Sequence, residues 1–400
     1  MLVNVERLQS QMATESLDAV VATTLENVHY FTGVLNVTLQ LFPHEGQCYV
    51  IISADRPDDP FVVCPILDTD QFVMDSLLPL RGTTTYGTFY REAPSGAREL
   101  TDREQELWQR AAVDSAHPGP RQALIAALTQ LGLTKSKIGL DEVGLASGLY
   151  DLLENELPQA HFVPASGLLR RVRRVKTTAE IRRLRASAHI TQNAILATAA
   201  IVGEGVSEIE LVREFERSIV SQGGKPKFAF IRIGRNAVAG QSNPSRTILE
   251  KGDFIWFDVG CVYQGYWSDI ARNVSLGEPA ARTRTLYDAM LRGEELAIEQ
   301  VRAGMTGHEV YELTMEATRA AGAPHYRRHH VGHGIGAEVY EQPILAPNNA
   351  EVIEAGSVVN IETPYYEYGL GALHVEDPFV VDTDGNRVLT SLSRELIVID

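Results

Sequence analysis

The sequence predicts two domains of different class, an α/β domain over residues 1–165 and an α+β domain over residues 166–400. Three observations predict them. At 400 residues the chain exceeds what one ordinary core of about 100–200 residues accommodates. Its first part alternates helix-like and strand-like stretches, the pattern of an α/β sheet. From Phe254 onward it turns into long β-hairpins separated by helices.

The elements follow in chain order. Val3–Ala13 has the apolar spacing of an amphipathic helix, whereas Ala19–Ala22 and Gln47–Ile52 are short apolar runs of strand type. Further strand and helix units fall at Phe61–Cys64, Arg121–Leu131 and Lys137–Leu140, as in a mostly parallel or mixed sheet. The basic run Arg170-Arg171-Val172-Arg173-Arg174-Val175-Lys176 marks a junction and reads as a solvated face or hinge rather than an anion site. Thr177 and Thr178 offer an N-cap to a helix carrying Ile181, Leu184, Ala188 and Ile190. Ser207, with Glu210 three residues on, has the spacing of a capping box. Later helices are expected over Arg282–Arg302 and Gly307–Ala321. Helices, hairpins, helices and hairpins again suggest a repeated half.

Composition narrows the function classes. Apolar residues make up 44% and charged residues 22%, with glycine and proline scattered, so the whole chain reads as globular. A formal charge of −16 disfavours non-specific binding to nucleic acid or to an anionic membrane. The N-terminus shows no cationic start followed by an apolar core. The most apolar helical stretch, AILATAAIV at 194–202, falls far short of the roughly 20 residues that span a bilayer. Cys48, Cys64 and Cys261 form no CxxC pair, which argues against a disulfide framework or a zinc knuckle. A reducing cytoplasm is the expected compartment.

The chemistry concentrates in the second domain. In FIWFDVGCVYQGYWSDIARNVSL, a strand from Phe254 to Val262 meets a turn at Tyr263-Gln264, and a returning strand begins at Gly265. With the turn centred there, Asp258 falls directly opposite Asp269. Facing like charges destabilise a strand pair, and aspartate is disfavoured in strand interiors, so a cation is expected between them. VVNIETPYYEYGLGALHVEDPFVV repeats the pattern, because a loop centred on Gly369 places Glu362 opposite Glu376. Any one of these acids reads as a surface or salt-bridged carboxylate; two hairpins with facing acidic pairs do not. The segment HHVGHGIGAEVYEQP supplies candidates for a neutral donor, and its glycines let the backbone come close to a metal cluster. Four carboxylates and an imidazole make a hard, oxygen-rich site suited to Mn²⁺, Co²⁺, Fe²⁺ or Zn²⁺. They exceed the needs of one ion and suit two, about 3.5–4 Å apart. A dinuclear hydrolytic site is expected.

At these residues the chain resembles the pita-bread metallopeptidases: Xaa-Pro dipeptidase (prolidase), aminopeptidase P, methionine aminopeptidase and creatinase. FDVG with Asp269, GHGIG, IETP and VEDP carry the resemblance, in that order. LLRRVRRVKTTAEI at 168–181 and LDAVVATTLENVHYFTG at 17–33 extend it through a creatinase/prolidase-like N-terminal domain, which methionine aminopeptidases usually lack. The resemblance implies a pita-bread catalytic domain and a homodimer. It implies that Asp258 chelates one metal, Asp269 and Glu376 bridge, and His333 and Glu362 bind the second. Manganese leads as the metal, with cobalt, zinc or iron as alternatives. Glu362 would also carry the proton of the attacking water. With all five ligands present, the metal-free chemistry of creatinase-like members is disfavoured.

Substrate-holding positions depart from the family pattern. His329, four residues before His333, matches a family histidine. Tyr340 stands seven residues after His333 where the family carries histidine, Gln241 takes the place of another, and His374 replaces an arginine. Tyrosine and glutamine still donate hydrogen bonds. The resemblance thus makes Glu362, His329 and Tyr340 the catalytic candidates, and Gln241 and His374 the substrate-binding ones. The leading reading is a metal-dependent dipeptidase or aminopeptidase that cuts Xaa-Pro bonds in short peptides. The alternative is a hydrolase or lyase of a small amide on the same scaffold. A silent binding protein fits poorly, since such acids are costly to retain without their ions. GHGIG lacks the lysine of a phosphate loop, and Ser242 and Ser245 have no nucleophile elbow. Trp256 and Trp267 read as core, and Tyr365, Tyr366 and Tyr368 equally as site mouth or surface packing.

Overall fold

In the computed structural model, which describes residues 2–92, 94–96, 98–111 and 115–400, the chain divides into Met1–Arg173 and Arg174–Asp400. The division falls at the end of helix Ser166–Arg174 rather than before it. No helix among the described residues is long and apolar enough to cross a membrane.

The first unit is built on β1 (Ala19–Ala22), β2 (Tyr49–Ser53), β3 (Arg56–Pro65), β4 (Gly82–Tyr86), β5 (Lys137–Leu140) and β6 (His161–Pro164). They form one sheet in the order β4-β3-β2-β1-β5-β6. β2 runs antiparallel to β1 and β3, and the other pairs are parallel, so the sheet is mixed. All four residues of β1 are buried, as a strand covered on both faces requires. Helix Pro120–Gln130 presses Ala123, Leu124, Ala127 and Leu128 into a core with Val21, Ile51 and Val63. The first helix starts at Val5 because Asn4 caps it, accepting a hydrogen bond from the Arg7 N–H.

The basic run is only partly a solvated face: Arg170 is exposed, but other members are buried, and the division between the two units falls within the run. Within the first unit, Arg173 is buried and donates to Asn27 Oδ1 at 2.7 Å. Within the second, Lys176 is buried against Glu341 at 2.8 Å. Buried charges need such partners, and those lie far away in sequence.

In the second unit, Thr177 and Ser207 cap helices Thr178–Ala199 and Glu208–Ser221, each in a capping box. The sheet comprises β7 (Lys225–Ile233), β8 (Phe254–Tyr263), β9 (Tyr266–Trp267), β10 (Ile270–Leu276), β11 (Gly332–Gly334), β12 (Glu341–Ile344), β13 (Val358–Glu362) and, after the small hairpin β14 (Tyr365–Glu367) and β15 (Gly371–Leu373), β16 (Glu376–Val380), β17 (Arg387–Val388) and β18 (Ile397–Ile399). Its main path is β12-β11-β13-β16-β10-β8-β7. The two capped helices lie against β8 and β7, while helices Ala281–Gln300 and Gly307–Ala320 pack on each other beside β13. Val359 and Ile361 of β13 join the core of those helices with Met290, Met315 and Phe379, each burial contributing about 1.5–3 kcal/mol. Side-chain alternation then turns Asn360 and Glu362 to the opposite face.

The first hairpin corrects the expected register. Gln264 and Gly265 form its turn, with φ of +48° and +84°, the two-residue type I′ geometry that suits the twist of paired strands. Val262 therefore pairs with Trp267, and Asp258 falls opposite Ala271 rather than Asp269. The turn sits one residue later than expected, which moves every partner by two. A shift of two keeps Asp269 on the same face. In the second hairpin Glu362 pairs with Glu376, as centring on Gly369 requires.

Candidate metal centre

Strand register lines up the acids. Phe230, Asp258, Ala271, Glu376 and Glu362 are successive partners across β7, β8, β10, β16 and β13. Between Asp258 and Glu376 in this row the chain places only the methyl group of Ala271. One pleat away, His333 in β11 pairs with Asn360 in β13. Gly332 makes that approach feasible. Its φ is +144°, and a Cβ there would lie 2.0 Å from the Asn360 carbonyl oxygen.

His333 Nε2 stands 3.7 Å from Asp269 Oδ2 and 3.9 Å from Glu376 Oε1, all buried. Asn360 Nδ2 donates to Glu376 Oε1 at 2.8 Å and to the Asp269 carbonyl at 3.1 Å. His333 Nδ1 lies 2.9 Å from the Gly334 carbonyl, which can only accept. The ring proton therefore sits on Nδ1, and the Nε2 lone pair points at the acids. Neither His333 Nε2 nor Asp269 Oδ1 has a hydrogen-bond partner among the described residues, although both are buried.

The electrostatics ask for a cation. Burial, then the charge of Glu362, pushes Asp258 up to about 8. Burial and the neighbouring acids likewise push Asp269 and Glu376 well above the carboxylate range. Burial acts on Glu362 too, but His330, whose Nδ1 lies 2.9 Å from Oε1, outweighs it with His374 and His333 and brings it to about 2. Burial lowers both His333 and His374, the latter to about 3, so the two rings are neutral at pH 7. Ionising all four acids this close together requires compensating positive charge. Oxygen-rich donors with an unpartnered imidazole nitrogen fit divalent ions of the manganese-to-zinc series.

The remaining candidates take different positions. Gln241 and His329 line a cleft of about 470 Å³ together with Asp258, Trp256, Arg328 and Tyr366. Tyr340 stacks on the His333 ring, with centroids 3.7 Å apart and planes at 17°. His374 is not among the cleft-lining residues; its Nε2 lies 3.5 Å from Glu376 Oε2 and 3.7 Å from Glu362 Oε2. Tyr366 belongs to the site mouth, whereas Tyr368 is 91% exposed. Ser245 is tied to Glu208, its hydroxyl donating at 2.7 Å, so turn chemistry explains it.

Three residues escaped the sequence reading. Asn360 could have been found, because it shares a strand face with Glu362 two residues on. His330 is adjacent to His329, yet nothing local shows that it turns towards Glu362. Arg328 sits 3.9 Å from Glu362 Oε2 and over the Tyr366 ring, and no motif announces it.

Comparison with known proteins adds the family. The Creatinase/Prolidase N-terminal domain matches residues 4–175, and Metallopeptidase family M24 matches residues 182–383. The uncharacterized peptidase YqhT of Bacillus subtilis is 30% identical over 265 residues, which cover 66% of this chain and 75% of the relative. An Xaa-Pro dipeptidase of Lactobacillus delbrueckii subsp. lactis is 26% identical over 99% of both chains. The solved structure of an Xaa-Pro dipeptidase from Bacillus anthracis superposes with a TM-score of 0.77 at 26% identity, covering 99% of both chains.

Proposed function

The chain belongs to metallopeptidase family M24, with a creatinase/prolidase N-terminal domain ahead of a pita-bread catalytic domain, and we propose that it hydrolyses Xaa-Pro dipeptides. The observation that carries the reading is the buried convergence of acids on an unpartnered His333 Nε2. The relatives named Xaa-Pro dipeptidase, matched over the full chain, support the substrate. In this reading Asp258, Asp269, Glu376, His333 and Glu362 would hold the two ions, Asp258 on the first and His333 and Glu362 on the second. Manganese is the proposed metal.

When bound, the two ions supply an acidified water and polarisation of the scissile carbonyl. Glu362 takes the proton of the attacking water and returns it to the leaving nitrogen. Asn360 fixes the Glu376 carboxylate through its amide N–H. His329 beside Asp258 and Tyr340 beside His333 donate hydrogen bonds to the oxyanion that develops on the carbonyl. Gln241 holds the peptide backbone from the cleft wall. The protein works as a homodimer in a reducing cytoplasm.

The test is hydrolysis by metal-stripped protein with and without added Mn²⁺, Co²⁺ or Zn²⁺, using Xaa-Pro dipeptides, longer Xaa-Pro peptides and small amides. Metal-restored cleavage of dipeptides is expected, and Glu362→Gln should lower it by roughly 10²–10⁴-fold. Cleavage of small amides alone, in protein that binds its ions, would overturn the substrate assignment.

A further inference from the structure

We propose that Trp256 holds His374 in the tautomer with its proton on Nε2, so that the ring turns an N–H, not a lone pair, towards Glu376 and Glu362 at 3.5 and 3.7 Å and stays out of the metal coordination sphere, although its Nε2, like that of His333, has no hydrogen-bond partner among the described residues. The metal half of this inference rests on the dinuclear reading above. By distance alone His374 is a sixth ligand. Its ring, 1% exposed, forms with Glu362 and Glu376 a group whose donor atoms lie within 4.8 Å of one another, just as Asp269, His333 and Glu376 do.

The other ring nitrogen decides. Trp256 Nε1 lies 3.4 Å from His374 Nδ1 with hydrogen-bond geometry. An indole N–H only donates, so Nδ1 must present its lone pair. The proton of the neutral ring is then on Nε2, facing the two carboxylates. A ligating histidine shows the reverse arrangement, with the far nitrogen donating to an acceptor. His333 has that arrangement, against the Gly334 carbonyl. Two imidazoles in one site are thus sorted by what stands behind them, a carbonyl for one and an indole for the other.

The indole is well placed to enforce this. Trp256 lies in β8 two residues before Asp258, on the same strand face. It is 1% exposed, its ring lies at 19° to the His374 ring, and Tyr366 packs edge-on against it at 5.9 Å. Gly240 gives it room, since a Cβ there would lie 2.1 Å from the ring. The His374 backbone is held as well, its N–H donating to Asn273 Oδ1 at 2.8 Å. Trp256 is therefore a positioning residue for the metal centre. Without its N–H, His374 can move the proton to Nδ1 and offer Nε2 to an ion, which adds a nitrogen donor and favours zinc over manganese.

Two readouts test this. The first is the two-bond ¹H–¹⁵N correlation spectrum of ¹⁵N-histidine protein, metal-free and zinc-loaded, with His374 assigned by its loss in His374→Gln. An Nε2–H pattern is expected in both forms, and an Nδ1–H pattern in either would overturn the proposal. This readout needs no Trp256 variant, and its metal-free arm stands even if the protein binds no ions. The second is the visible absorption of cobalt-loaded protein. His374→Gln should leave the bands unchanged, Trp256→Phe should shift them, and the double variant should restore the wild-type spectrum. Trp256→Phe should also raise the zinc-over-manganese affinity ratio by about tenfold or more. A band shift in His374→Gln alone, or an unshifted and folded Trp256→Phe, would overturn the assignment. Uptake of fewer than two ions by the wild type would instead fault the dinuclear reading.

Discussion

Asp269, Glu362 and Glu376 are buried and Asp258 is half-buried, where an isolated carboxylate would cost several kcal/mol, and that cost made them legible. Aspartates and glutamates inside apolar, strand-like runs conflict with their surroundings unless something positive joins them. His330 and Arg328 carry no such local conflict, and their contact with Glu362 depends on the path of the segment before β11. At this scale the proton-shuttle role predicts that Glu362→Gln lowers kcat by roughly 10²–10⁴-fold, with the far-ultraviolet circular dichroism unchanged. Tyr340 offers a ring to His333 and a hydroxyl to the reaction. Tyr340→Phe keeps the stack, so kcat should fall by roughly 10²-fold or more, as for loss of one oxyanion donor, with metal affinity retained. An unchanged kcat would leave the tyrosine a packing role only.

The elements show where a sequence argument succeeds and where it slips. Helix starts at Thr177 and Ser207 were legible because a cap is local: the hydroxyl and the glutamate three residues on make both bonds. The second acidic pair was legible because its loop is symmetric about Gly369. The first hairpin was misplaced because Tyr263-Gln264 and Gln264-Gly265 are equally polar, and only the φ > 0 demand on both turn residues selects the latter. Gln264 meets that demand at a cost, so Gln264→Asn should raise stability by up to about 1 kcal/mol, read as a higher Tm. Behind the metal face, Arg272 of β10 is fully buried, donating to the Ala271 and Glu376 carbonyls and to Asp377 Oδ1 at 2.9 Å. It clamps β10 to β16 and so fixes Glu376 from behind. Arg272→Met leaves Asp377 with less compensation, and a loss of about 3–5 kcal/mol is expected, measurable by denaturant unfolding.

For the whole molecule, the site couples stability to pH and to metal. Asp258 has a folded-state value near 8, above its unfolded value of about 4, so the metal-free fold holds a proton that the unfolded chain has lost. That contribution is full below about pH 4 and is lost as pH rises through the folded value. His374, lowered to about 3 by burial, acts in the opposite sense, and its contribution is complete above the unfolded value of about 6.5. Between about pH 6.5 and 8 the acids alone change, so the Tm of metal-free protein should fall as pH rises across that window. Metal-loaded protein should show a smaller fall, to which Glu180, pushed up to about 7 by burial, still contributes. Each ion supplied at 100 times its Kd should add about 2.7 kcal/mol of stability.

The most direct test of the dinuclear peptidase account is the number of ions bound when metal-stripped protein is titrated with Mn²⁺ and its metal content is measured. Two ions per chain are predicted, with the second appearing as Xaa-Pro dipeptide hydrolysis reaches its plateau. One ion or none, in folded protein, would contradict the account.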